Sequence, residues 1–346
     1  MSNSTRRRGR ALVVFASMSA VLLTFATYGP GATASPAPRA GSSATRAGRS
    51  APFRVPAHIG GVVTPRGVRV GVPAARPQVD NLTYGNGPVM AHKEVSYAIF
   101  WLPPTLQDGS PTSMSPTYQP LIERYFDDVG GHRLYALAKQ YYEVVGGKQV
   151  NIRNRSSAGP VWVDTQPYPP SGCDDPATPG NCLTDLQIKQ EAAHAIDVNH
   201  WQGGITKMFF VFTSSGEGSC FGAGPSGCAF TDYCAYHGAF VHKGETIYAN
   251  MPYLGTTGGC HTPTSPNGDI AADSTINVAS HEQMESVTDP LPGSGWTSPE
   301  GEIGDKCVWF FGVLGYDGIA NERWNGHLYV LQEEWSNDVS RCSQGV

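Results

Sequence analysis

The chain has 346 residues, 15% of them charged, with 24 basic against 29 acidic side chains and a net charge of −5. That charge is divided: residues 1–80 carry 11 Arg, no Lys and a single Asp (+10), so the remaining 266 residues carry −15. An acidic body of this size argues against nucleic acid as a partner and leaves room for one large domain.

Arg6, Arg7, Arg8 and Arg10 precede an apolar run from Ala11 to Ala26, and Ala32-Thr33-Ala34 is a small-residue cleavage site. The run is shorter than the ~20 apolar residues that span a bilayer, so residues 1–34 read as a secretory signal peptide, with no stable membrane insertion. Residues 35–80 are rich in Pro, Ala, Gly and Arg and poor in aromatics. Such a segment cannot bury enough apolar area to offset its ordering entropy, and it reads as a disordered linker or propeptide. The body, 81–346, holds eight cysteines and no C-x-x-C spacing. In an exported chain that implies four disulfides. Cys173 and Cys182 close a short Pro/Asp/Gly loop and form the expected local pair, and the other pairings stay open.

Glu94–Trp101 is β-branched and aromatic, ends before Pro103-Pro104 and predicts a central strand. Apolar residues from Pro120 to Val129 recur at helical spacing and stop at Gly130-Gly131, and a second helix is expected through Leu134, Leu137, Tyr141 and Tyr142. In "TDLQIKQEAAHAIDVNHW", Thr184 and Gln187 form a capping box, with Leu186, Ala193 and Ile196 on an apolar face. His194 and His200 there have no acidic partner pattern and read as surface or packing residues. The continuous apolar run from Lys207 predicts a buried strand, Ser214–Gly238 is too irregular for regular elements, and a hairpin turns at Lys243-Gly244.

The chemistry concentrates in "SHEQMESVTDP", Ser280–Pro290. Asp273 or Ser274 is expected to cap a helix that Asp289-Pro290 ends. His281 and Glu285 stand at i and i+4, one turn apart on one face, so an imidazole and a carboxylate can converge on one ion. Glu282 lies about 100° round the helix, placed to hold a water on that ion. This is the logic of the H-E-x-x-H zinc hydrolases with glutamate in place of the second histidine, and carboxylate also suits harder cations such as calcium. The alternative is a solvated polar face. Eleven residues beyond Pro290, "GEIGDKC" offers Glu302 or Asp305 as a third ligand, with Asp289 weaker because it sits at the helix exit. His237 and His261, beside Cys234 and Cys260, are candidate ligands or oxyanion donors, although a plain loop role is the simpler reading. No G-x-S-x-G elbow, phosphate-cradling glycine loop or marked carboxylate pair supports another chemistry.

"YGNGPVM", the strand ending in Phe100-Trp101, "FVFTSS", "CAYHG" and above all "SHEQMESVTDP" followed by "EIGDKC" give the chain a resemblance to the EXORDIUM-like, or phosphate-induced, family of secreted plant and bacterial proteins. The likeness spans roughly Leu82 to Asp305. It implies an extracellular or cell-wall protein in which His281, Glu282, Glu285 and the "EIGD" turn form a shared polar cluster. The closing "NGHLYVLQEEWSNDVSRC" looks like a bacterial-type ending of two strands, with Cys342 placed to bridge to Cys307.

The expectation is therefore a single, disulfide-stapled, mixed α/β domain after the arm, with a metzincin- or zincin-like active-site helix. The expected function is a monomeric, secreted zinc-dependent hydrolase, a peptidase, with Glu282 as general base. Its metal ligands would be His281, Glu285 and one of Asp305 or Glu302, and its substrate a peptide or cell-envelope polymer. The alternative is a non-catalytic, cell-wall-associated protein with a structural acidic or calcium cluster.

Overall fold

Apolar runs with no polar face need cover on both sides, and this chain provides it with a layer of helix on each face of one sheet. The computed structural model describes residues 54–67, 80–255 and 258–345. The expected signal peptide and most of the expected arm lie outside them. The chain divides at Ser50, and the fold is that of Ala51–Val346.

Six strands form the main sheet: β1 (Ile59–Val63), β2 (Glu94–Trp101), β3 (Ser156–Asp164), β4 (Lys207–Thr213), β5 (Ala235–Val241) and β6 (Glu245–Met251). Their order is β1-β5-β6-β4-β2-β3. Strands β6, β4, β2 and β3 run parallel, β5 is antiparallel to β6, and β1 is antiparallel to β5. The expected strands at Glu94–Trp101 and from Lys207 are β2 and β4, both interior, and Met208–Phe212 is fully buried. The expected hairpin is β5–β6, turning at Lys243-Gly244 with both residues at positive φ.

Helix α1 (Tyr118–Asp128) and helix α3 (Ile270–Thr288) pack together, and α3 also covers β1, β5 and β6. Helix α2 (Asp185–Val198) packs against β4 and β6. The two-residue alternation of β5 explains the separation. Tyr236 points to α2, where its hydroxyl donates to Asp185 Oδ1 at 3.0 Å, and His237 points to α3.

Several expectations need correction. Ile59–Val63, inside the segment assigned to the unstructured arm, is a strand in the main sheet, with Val63 wholly buried. The average composition of 46 residues concealed five that are apolar or small. Ser214–Gly238 contains a short strand, Gly218–Cys220, and the first half of β5. On α2 the capping box is present, but Leu186 is 59% exposed and Ile188, Ala192, Ala195 and Ile196 make the buried face. The helix after His132 ends at Gln140 as a 3-10 turn, because Tyr142 begins a hairpin strand. The four disulfides are Cys173–Cys182, Cys220–Cys228, Cys234–Cys260 and Cys307–Cys342.

Two buried carboxyls away from the pentad predict a pH dependence. Glu191 is raised from 4.5 to about 9 by burial and the neighbouring Asp164, and Glu217 to about 8 by burial, Asp108 and Asp175. Both hold a proton when folded that the unfolded chain releases above about pH 4.5. Their contribution therefore falls as pH rises, by about 1.4 kcal/mol per pH unit for each proton, until they ionise in the folded state. Glu191→Gln with Glu217→Gln should flatten the fall of melting temperature between about pH 5 and 8. An unchanged slope would remove both groups from the account.

Candidate metal centre on helix α3

Helix α3 has no solvent face. Ala271 to Thr288 are all buried, so each polar group among them must find its partner inside the protein. The cap is Asp269, which accepts from Ala272 N at 3.1 Å, four residues before the expected Asp273. Asp273 is taken up instead by the preceding loop, through Ser265 Oγ at 2.6 Å and Asn267 Nδ2 at 2.6 Å. Asp289 ends the helix and accepts from the amides of Gly293, Ser294 and Gly295, which makes it a cap and not a ligand.

The solvated reading of the pentad fails, since His281, Glu282 and Glu285 are all at 0% exposure. His281 Nε2 lies 2.9 Å from Glu285 Oε1 and 3.6 Å from Asp305 Oδ1. Asp305 comes from a 3-10 turn, Asp305–Cys307, tied down by Cys307–Cys342. Its amide donates to Glu285 Oε1 at 2.9 Å, and its Oδ2 accepts from Glu302 N at 3.1 Å. Gly304 lets the turn approach, because a Cβ there would sit 2.8 Å from the His281 ring. Gln332 Nε2 holds the turn from behind through Gly304 O at 3.0 Å.

His237 enters from β5. Its Nδ1 lies 3.0 Å from Glu282 Oε2 and 3.6 Å from Glu285 Oε2, and its Nε2 lies 3.9 Å from Glu302 Oε2. The candidates thus fall into two groups that share Glu285. His281, Glu285 and Asp305 make one, and His237, Glu282 and Glu285 the other, with donor atoms in each within 4.8 Å of one another. Glu302 sits beside the second group. His194 and His200 lie elsewhere; His194 contacts Gln166 and Asp164. His261 makes only a local contact, to Thr262 O.

Burial sets the electrostatics. It pushes His237 down to about 3 and Glu285 up to about 7, and it raises Glu282 and Glu302 well above the usual carboxylate range. For His281 burial disfavours the imidazolium, but Glu285, Asp305 and Glu282 outweigh it and hold the ring well above its ordinary value. Even so, among the described residues His237 Nε2, both His281 ring nitrogens, Glu282 Oε1, Glu285 Oε2 and Glu302 Oε2 are buried without a hydrogen-bond partner.

Sequence reasoning missed Glu334 and Gln283 here, and named His237 only as a candidate whose simpler reading was a plain loop role. His237 lay in a stretch with no periodic signal, and only "CAYHG" marked it. Glu334 is fully buried, with no hydrogen-bond partner for either oxygen among the described residues, and burial raises it well above its usual range against the opposing charge of His281. Gln283, inside the pentad, is structural. It donates to Glu94 and Ser96 at 2.9 Å and accepts from Tyr125, which locks α3 to β2 and α1.

No family model matches the chain, and no solved structure matches it. Among curated proteins, Protein EXORDIUM-like 3 of Arabidopsis thaliana is 32% identical over 95 residues, which is 23% of this chain and 28% of that relative. The match therefore spans less than a third of the relative's length. Four disulfides and this likeness are consistent with an exported protein, and among the described residues no helix is long and apolar enough to cross a membrane. Over the matched stretch the chain is similar to the EXORDIUM-like family that its motifs suggest.

Proposed function

We propose that the chain is a secreted zinc-dependent hydrolase acting on peptides, with α3 as an active-site helix of the zincin kind. The observation that carries this reading is the convergence of His281, Glu285 and Asp305, with Glu282 beside them. Buried polar atoms left unpaired cost about 1–3 kcal/mol each, and a shared cation would remove that cost from several at once. Imidazole among the donors favours zinc over calcium, which prefers a shell of oxygens.

Asp305 suits the third ligand better than Glu302, because its Oδ1 lies 3.6 Å from His281 Nε2 in the group that His281 and Glu285 form, whereas Glu302 stands beside His237. Zinc at such a site supplies Lewis acidity and lowers the pKa of a bound water to ~7. Glu282 is the group to accept that proton. His237 holds Oε2 and leaves Oε1 free to take it.

The complete burial of His281, Glu282 and Glu285 favours a second reading, a non-catalytic extracellular or cell-wall protein with a structural ion. Elemental analysis of the purified full chain separates them. Near one equivalent of zinc is expected, lost from His281→Ala and Glu285→Ala but kept by His194→Ala and His200→Ala. Calcium in place of zinc supports the second reading. Full zinc occupancy in His281→Ala would sink the site.

A further inference from the structure

The feature that buries the cluster is strand β1, and its construction is specific. Ile59 pairs with Gly238, Val62 with Tyr236 and Val63 with Ala235, so one extra residue is accommodated between Ile59 and Val62. That bulge is Gly60-Gly61, and it lies opposite His237. A Cβ on Gly60 would stand 2.6 Å from His237 Nε2 and 2.8 Å from Glu302 Oε1. On Gly61 it would fall 1.4 Å from Glu285 Oε2 and 2.9 Å from His237 Cε1. Nothing larger than glycine fits at either position while the strand is seated.

The rest of the strand is held by its backbone and by the buried side chains of Ile59 and Val63. Gly61 N donates to Glu302 Oε1 at 3.0 Å, Cys234 N to Val63 O at 2.6 Å, Ala239 N to His58 O at 3.1 Å, and the Trp309 indole to Thr64 O at 2.6 Å. Main-chain pairing of this kind on a sheet edge accepts any extended peptide, with selectivity set where side chains meet the wall.

We propose that the outer edge of β5 is the substrate-binding edge of this site. It takes an extended peptide, antiparallel to β5, with two glycines over the cluster, and β1 is an internal stand-in that occupies it. Catalytic use of the edge rests on the hydrolase reading, whereas its binding of peptide does not. The strand leaves the site at Gly67, an exposed turn residue at φ +83° with nothing near its Cβ direction, so the chain can be opened there without touching the core.

The test inserts a site-specific protease sequence after Gly67 in the full chain and cuts it after folding. The probe is a labelled peptide with the sequence of Val55–Thr64, followed by fluorescence anisotropy. Saturable binding is expected to the cut chain and not to the uncut one, and a peptide with valine at both glycine positions should bind at least about tenfold more weakly. Uncut Gly61→Val, whose strand cannot seat, should bind the probe without cleavage. Three results overturn the proposal. They are an N-terminal piece that stays bound and exchanges with no probe, a piece that leaves with no probe binding in its place, and equal binding of the valine peptide. Probe binding with no hydrolysis of any peptide keeps the edge and removes the hydrolase reading.

Discussion

Glu282→Gln is expected to keep its metal and its fold and to lose about 10²-fold or more in hydrolysis, the usual scale of a missing general base. Glutamine preserves the volume in a fully buried position, and its carbonyl oxygen can still accept from His237 Nδ1 where Glu282 Oε2 now does at 3.0 Å. What disappears is the proton acceptor at Oε1. The measurement pairs elemental analysis with a mixed peptide library at neutral pH, run on the intact chain and on the chain opened after Gly67. If the variant loses zinc, Glu282 is a ligand and the roles must be reassigned. If the opened wild type holds zinc and cleaves nothing, the chain is a binding protein.

A large effect on stability is expected from Cys234→Ala with Cys260→Ala. This bridge closes 26 residues, for which loop-closure entropy gives about 3.5 kcal/mol, and both sulfurs are wholly buried. For a domain of this size that is a fall in melting temperature of about 7–14 °C. The bridge also fixes the start of β5, three residues before His237, so looser metal retention should accompany the fall. Thermal unfolding of the double variant beside wild type checks it, and a fall below about 2 °C would show that the bridge restrains little.

How much of this was legible follows from the range of each signal. Strands β2 and β4 declared themselves because continuous apolar runs need no partner to be recognised. The capping box of α2 is written in two residues, and the Cys173–Cys182 pair in the shortness of its loop. His281, Glu282 and Glu285 could be placed together because helical spacing is local. His237 could not, since it joins them only through the pairing of β5 with β1 and β6 and the packing of α3 across that sheet. Glu334 and the bulge at Gly60-Gly61 were hidden for the same reason. The polar interior of α3 also rules out the alternative of a solvated face: Gln283 is answered by Glu94, Ser96 and Tyr125 from distant elements, and Asp273 by the loop before the helix.

Strand β1 is expected to seat late in folding. Val63 pairs with Ala235, far along the chain, and contacts so far apart in sequence are the costly ones to close. The β2–β3–β4 sheet has no need of it. During refolding, then, the acidic pocket should exist for a time as an open cleft, and ions in the medium should reach it before the edge is covered. Trp309, whose indole donates to Thr64 at the end of that strand, is a built-in reporter of the event. Its fluorescence should change after the far-ultraviolet circular dichroism has recovered. A metal added after that change should enter far more slowly than one present from the start.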